Sequence, residues 1–89
     1  MQSYRFIVIG HVQGVYYRKN VQENAHKERF SGYVKNLSDG GVEACVTCDE
    51  TRLDTFLDIL QKGSPSSIVH EIKKFHCDEV FSKDFEIRY

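Results

Sequence analysis

The sequence predicts an α+β fold in which an antiparallel sheet carries two helices on one face and leaves the other face open to solvent. Three observations predict it. The hydrophobic pattern switches between the two-residue repeat of strands and the about 3.6-residue repeat of helices, in the order β-α-β-β-α-β. The 89 residues suffice for one domain with a single modest core. Because crossover connections are right-handed, this order leaves few arrangements other than a ferredoxin-like βαββαβ sandwich over residues 1–89.

A change of period marks the first strand and the first helix. Residues 4–9 (YRFIVI) are β-branched and aromatic and stop at Gly10, which predicts a strand. A helix is predicted from about residue 16 to residue 28 or 29, because apolar residues recur at every fourth position among polar neighbours. These apolar residues are Tyr17, Val21 and Ala25.

A hairpin is predicted next, with strands at residues 30–36 and 41–48. Asp39-Gly40 is the strongest turn signal in the chain, since glycine tolerates the positive φ that hairpin turns demand. Side chains in the second of these strands alternate between the two faces of the sheet. Val42, Ala44, Val46 and Cys48 point one way, with Glu43 and Thr47 opposite.

A second helix and a fourth strand complete the pattern. Asp49 is predicted to be the N-cap of the helix, which ends at Gly63. The apolar stripe of the helix consists of Leu53, Phe56, Leu57 and Leu60. Residues 68–77 are predicted to form the fourth strand, and residues 85–89 a short extended tail.

Composition and charge exclude several classes of protein. Twelve basic and thirteen acidic residues give a net charge of −1, so we expect no nucleic-acid partner held by bulk charge. No apolar run approaches the roughly 18 residues of a membrane span, and residues 1–5 do not resemble a targeting signal. We therefore expect a cytoplasmic protein with no membrane partner. A monomer is expected, although the sequence itself does not fix the oligomeric state.

The three cysteines are an odd number, which favours reduced thiols over a disulfide framework. Cys45 and Cys48 spell C-x-x-C, but in a strand a separation of three residues places them on opposite faces. A metal-binding or redox role is therefore not expected. Whether Cys45, Cys48 and Cys77 are more than structural stays open.

Residues 10–18 (GHVQGVYYR) connect the first strand to the first helix and are the best candidate for a chemical role. Amides at a helix N-terminus lack partners and carry the positive end of the helix dipole, so this junction favours an anion. Glycines let amides approach an oxyanion closely, and the Arg18 guanidinium is suited to grip two oxygens of a phosphate. On spacing alone, turn glycines and a solvated arginine remain the simpler alternative. The chain has no Gly-Lys-Ser or Gly-Lys-Thr, so this is not a Walker loop.

The whole chain resembles the acylphosphatase family. The resemblance rests on the joint occurrence of the loop, a strand that ends in asparagine and the final residues. The matching stretches are Gly10, VQGV (12–15), YR (17–18), Ala25, GYVKN (32–36), DGGVEA (39–44), GSP (63–65) and FEIRY (85–89). The chain departs from the usual family pattern at Arg29, where a glycine commonly ends the helix, at Tyr33 in place of tryptophan, and at Lys35 in place of arginine.

The resemblance implies an activity and the residues that perform it. Members of the family hydrolyse small acyl phosphates to a carboxylate and inorganic phosphate, by direct in-line attack of a water, with no metal and no cofactor. Arg18 is then expected to bind the phosphate with the loop amides, and Asn36 to orient the water. The phosphate-binding loop is expected to comprise His11, Val12, Gln13, Gly14, Val15 and Arg18.

Two other functions and one other mechanism are the alternatives. The same fold hosts binding modules, but an RNA-recognition domain needs a pattern of basic and aromatic residues that is missing here. A domain that handles carbamoyl phosphate within a larger assembly is the second alternative. A phosphoenzyme of the Cys-x5-Arg type would need a cysteine at Val12. A catalytic role of His11 is left open, whereas His26, His70 and His76 are expected at the surface.

Overall fold

The computed structural model describes residues 1–89 and contains five strands and two α-helices. In chain order the elements are β1 (Gln2–His11), α1 (Tyr17–Lys27), β2 (Ser31–Asn36), β3 (Val42–Cys48), α2 (Leu53–Lys62), β4 (Ile68–His76) and β5 (Phe85–Arg88). The strands form one sheet in the order β4-β1-β3-β2-β5. The predicted α+β, ferredoxin-like fold is confirmed. Neither helix has the length and apolar character needed to cross a membrane.

The fifth strand makes the sheet mixed rather than wholly antiparallel. The sequence predicted only an extended tail here, but β5 pairs parallel with β2, from Gly32 opposite Phe85 to Lys35 opposite Arg88. The other neighbouring pairs are antiparallel. A strand of four residues is too short to show a hydrophobic period. Which strand it pairs with, and in which direction, depends on the path of the segment that precedes it. This pairing brings residues 85–89 to the N-terminal end of α1.

The core lies between the sheet and the helices, and Phe56 of α2 is at its centre. Its ring contacts those of Phe30, Phe6 and Phe85, with centroid distances of 5.2, 5.7 and 5.8 Å. The stripe of α2 is shifted slightly from the prediction, because Ile59 is buried and Leu57 only packs at the edge of the core. The buried stripe is Leu53, Phe56, Ile59 and Leu60.

The ends of the helices agree only partly with the predictions. Asp49 does not cap α2: it precedes a 3₁₀ turn at Glu50–Arg52, its side chain makes no capping hydrogen bond, and α2 begins at Leu53. A single turn of 3₁₀ helix absorbs the residues that the pattern assigned to the α-helix. Gly63 ends α2 as predicted, at φ 51°, and a Cβ there would collide with the ring of Tyr17. After α1, Arg29 adopts φ 59°, in the left-handed region where glycine is favoured.

The second face of the sheet is partly covered, which corrects the expectation of an open face. The ring of Phe81 packs edge-on against Tyr33 at 5.5 Å, and the Phe81 amide donates to Oγ1 of Thr47 at 2.8 Å. Cys45 is buried on this face, whereas Cys48 belongs to the core on the helix side. The two cysteines therefore lie on opposite faces, as predicted. All three cysteines are free thiols.

Candidate active site

The loop at residues 12–16 leaves the sheet at a β-bulge. The register between β1 and β4 shifts between Ile9 and Gly10, so that one extra residue of β4 lies opposite them. Gly10 has φ 151°, and a Cβ there would collide with the carbonyl oxygen of Ile68. Only glycine fits at this position. Beyond the bulge, β1 pairs with β4 for two more residues, up to His11, and the chain then turns towards α1.

Gln13 fixes the loop to the hairpin between β2 and β3. Its Nε2 donates to the carbonyl oxygens of Leu37 at 2.7 Å and Gly41 at 2.8 Å. The hairpin is in turn closed by the Gly41 amide, which donates to Oδ1 of Asp39 at 2.9 Å. The Gln13 side chain therefore holds the loop against the hairpin, and both N–H groups of its amide are used in doing so.

The backbone amides of this loop have no partner in the protein. None of the amides of residues 12–16 donates a hydrogen bond to a backbone or side-chain acceptor. Gly14 has φ 72°, and a Cβ there would meet no atom within 4 Å. Tyr16 precedes α1, and its carbonyl oxygen accepts from the amide of Asn20 at 3.1 Å and from Nδ2 of Asn20 at 2.9 Å. Free donors are thus gathered at the positive end of α1.

Arg18 and Asn36 line one cavity of about 460 Å³ together with Gly14. Nη1 of Arg18 donates to the carbonyl oxygen of Arg88 at 3.4 Å, and the guanidinium lies 4.9 Å from the centroid of the Tyr89 ring. One donor is used, and the other N–H groups of the guanidinium remain available. Oδ1 of Asn36, at the end of β2, is buried and has no hydrogen-bond partner.

The cavity is locally basic although the chain is not. Arg18 and Lys19 are among the nine residues that line it, and no aspartate or glutamate is. Tyr17 lies beneath, buried, and its hydroxyl donates to the carbonyl oxygen of Leu60 at 2.7 Å. Burial raises the pKa of Tyr17 well above its ordinary value, so this residue stays neutral and ties α1 to α2. The cavity thus offers positive charge and no acidic side chain.

The structure brings together part of the predicted site. Val12, Gly14, Arg18 and Asn36 line the cavity, whereas His11, Gln13 and Val15 do not. His11 ends β1 opposite Ile68 and is exposed, and Val15 packs at the edge of the core. Cys45, Cys48 and the histidines form no cluster that could hold a metal, since no group of three or more such ligands is assembled.

Sequence reasoning missed five residues of the cavity. They are Tyr16, Tyr17, Lys19, Ile87 and Tyr89. The first three are close neighbours of Arg18 in the sequence, and that position was a usable signal. The last two are brought in by the parallel pairing of β5, which the hydrophobic pattern does not encode.

Known proteins are similar to this chain in sequence and fold, two of those described here over the full length of both chains. A family model described as Acylphosphatase matches residues 4–87. An acylphosphatase of Bacillus licheniformis is 44% identical over 91 aligned residues that cover all of both chains. The crystal structure of acylphosphatase from Bacillus subtilis matches with a TM-score of 0.90 at 39% identity, again over all of both chains. Full-length HypF in its phosphate- and nucleotide-bound form matches with a TM-score of 0.77 at 28% identity, over 99% of this chain and 12% of that one.

Fold and cavity define a ferredoxin-like domain with a basic cleft at the start of its first helix. The chain belongs to the acylphosphatase family. It is an enzyme whose reaction is the hydrolysis of acyl phosphates, the small substrates on which this family acts. No observation favours the alternative of a non-catalytic binding module.

Proposed function

We propose that Arg18 and the amides of residues 12–16 bind the phosphate of the substrate, and that Asn36 positions the attacking water. The observation that carries the proposal is that Arg18, Asn36 and three residues of the loop line one cavity, while the loop amides and the buried Oδ1 of Asn36 have no partner in the chain. A tetrahedral dianion requires donors, and an attacking water requires an acceptor. Buried polar atoms without partners are rare and costly, which favours a functional role for Oδ1 of Asn36.

The chemistry needs no general acid. The water oxygen forms its bond to phosphorus as the bond between phosphorus and the acyl oxygen breaks, and the carboxylate leaves with the electron pair. Charge in the loose transition state spreads over the equatorial oxygens, where Arg18 and the amides stabilise it. Asn36 accepts a hydrogen bond from the water and holds it in line. An amide does not titrate usefully, so the proton passes to a phosphate oxygen or to bulk water.

We further propose that the reaction is independent of metal ions. In many phosphoryl-transfer enzymes a cation neutralises the charge that develops on the transferred group. Here Arg18 and Lys19 supply positive charge in the same cavity. The leaving carboxylate is already a stable anion and needs no Lewis acid.

The proposal extends to the state of the protein. Residues 1–89 act as one domain, which the match of the family model to residues 4–87 supports, and as a monomer. A cytoplasmic location is supported by an odd number of cysteines, which suits a reducing compartment. A net charge of −1 supports the absence of a nucleic-acid partner.

The test is an assay of phosphate release and of the loss of benzoyl phosphate absorbance, with and without a chelator. We expect turnover that the chelator leaves unchanged and that Arg18→Ala abolishes. Arg52→Ala is the matched control, because Arg52 lines a different cavity, and it should retain activity. Full inhibition by the chelator would overturn metal independence, and an active Arg18→Ala variant would overturn the assignment of the site.

A further inference from the structure

Two tyrosine rings at the cavity are almost entirely exposed. Tyr16 retains 80% and Tyr89 97% of its accessible surface, and both line the cavity that holds Arg18 and Asn36. The Tyr16 ring takes part in no aromatic pair, and its hydroxyl makes no hydrogen bond within the chain. Nothing in the packing of the fold therefore accounts for an aromatic side chain at this position.

Tyr16 is also held in an unfavourable backbone conformation. It has φ 60° and ψ 24°, in the left-handed region, where a bulky residue is an outlier and glycine or asparagine is favoured. The two hydrogen bonds from Asn20 to the Tyr16 carbonyl oxygen keep it there. Strained residues of this kind concentrate at functional sites, where the surrounding structure enforces them.

The cavity is larger than a phosphate requires. At about 30 Å³ per non-hydrogen atom, the share of one molecule in liquid water, the five atoms of a phosphate take about 150 Å³. The cavity has a volume of about 460 Å³. The remaining space adjoins the exposed tyrosines and has room for an acyl group larger than acetyl.

We propose that Tyr16, together with Tyr89, binds the acyl group and makes the enzyme selective for acyl phosphates with a flat, aromatic acyl group over small aliphatic ones. This inference rests on the proposed function, because it assumes that the phosphate lies at Arg18. Tyrosine is suited to the task, since its ring offers a large rigid face with few rotatable bonds. Tyr16 determines specificity without touching the reacting atoms.

The experiment compares kcat/KM for benzoyl phosphate and acetyl phosphate. Wild type should favour benzoyl phosphate. Tyr16→Asn keeps a residue that tolerates the left-handed conformation and removes the ring, and we expect the benzoyl-to-acetyl ratio to fall about tenfold, the loss of one aromatic contact. Tyr16→Phe keeps the ring and should retain the wild-type benzoyl-to-acetyl ratio. Phe75→Leu removes an exposed ring of β4 outside the cavity and is the matched control.

Each outcome supports or overturns the inference. A ratio that Tyr16→Asn leaves unchanged would overturn it, as would a wild type that favours acetyl phosphate. If Tyr16→Asn weakens inhibition by inorganic phosphate and both activities to the same extent, Tyr16 serves the loop and not the acyl group. A wild type that hydrolyses neither substrate would instead overturn the proposed function. Tyr16 is a cleaner probe than Tyr89, because Tyr89 also contacts Arg18.

Discussion

Replacing Asn36 with alanine is expected to separate catalysis from binding and from stability. Asn36 lines the cavity, and its Oδ1 is buried and has no partner in the chain. If it positions the attacking water, its removal eliminates an interaction made with the nucleophile, while the guanidinium and the amides that hold phosphate remain. The variant should then bind phosphate normally and turn over slowly.

The expected changes in kcat and in the free energy of unfolding follow from the position of Asn36. Loss of one preorganised hydrogen bond at the reacting centre costs about 2.7–4 kcal/mol, which lowers kcat about 100- to 1,000-fold. An unpartnered buried acceptor costs about 1–3 kcal/mol in the folded state. Asn36→Ala should therefore leave the free energy of unfolding unchanged or raise it slightly, although most truncations of buried residues lower it.

Three measurements on the same variant check this reasoning: kcat with benzoyl phosphate, inhibition by inorganic phosphate, and unfolding in urea. Asn24→Ala removes an asparagine of α1 that does not line the cavity, and it should leave kcat unchanged. A rise in the phosphate inhibition constant that matches the loss of kcat would assign Asn36 to phosphate binding. A large loss of stability would mean that the carboxamide is structural.

Three further predictions concern Arg18, Arg29 and Cys45. Arg18→Lys should lose most of its activity in the same assay, because a point charge does not reproduce a two-pronged grip on phosphate, and near-normal turnover would contradict this. Arg29→Gly should raise the free energy of unfolding by about 0.5–1 kcal/mol by relieving the left-handed conformation at φ 59°, whereas Lys27→Gly within α1 should lower it by about 1 kcal/mol. Burial raises the pKa of Cys45 from 9.0 to about 12. As the pH rises, the Cys45 thiol loses its proton at a lower pH in the unfolded state than in the folded state. The free energy of unfolding is therefore unaffected below about pH 9, and between about pH 9 and about pH 12 it falls by at most about 1.4 kcal/mol per pH unit. Urea unfolding at about pH 8 and about pH 10 should show a smaller fall for Cys45→Ala than for wild type, and equal falls would refute the effect.

Much of the fold could be predicted because its signals are local. The period of the apolar residues located both helices and four strands, and Asp39-Gly40 located the hairpin. Signals were weaker where one turn of 3₁₀ helix follows Asp49 and where β5 is only four residues long. Those elements are decided by tertiary contacts, such as the burial of Phe85 in the core.

For the site, too, residues with a local sequence signal could be predicted and residues placed by tertiary contacts could not. Arg18 follows a glycine-containing loop at a helix start, a local pattern with a direct physical meaning. Asn36 gave no such local sign and was indicated only by the resemblance, because its unpartnered oxygen is visible only once β2 is placed beside the loop. The roles of both residues remain predictions. The contact of Arg18 with Arg88 spans 70 positions of the chain, and no local pattern records it.

That long separation has a kinetic consequence. The cavity is complete only when β5 has docked beside β2, since Ile87 and Tyr89 line it and the carbonyl oxygen of Arg88 contacts Arg18. A closure across most of the chain is among the slower events of folding, because it carries a large entropic cost before any contact compensates it. Enzymatic turnover regained during refolding should therefore report the docking of the last strand and lag behind the formation of helical signal.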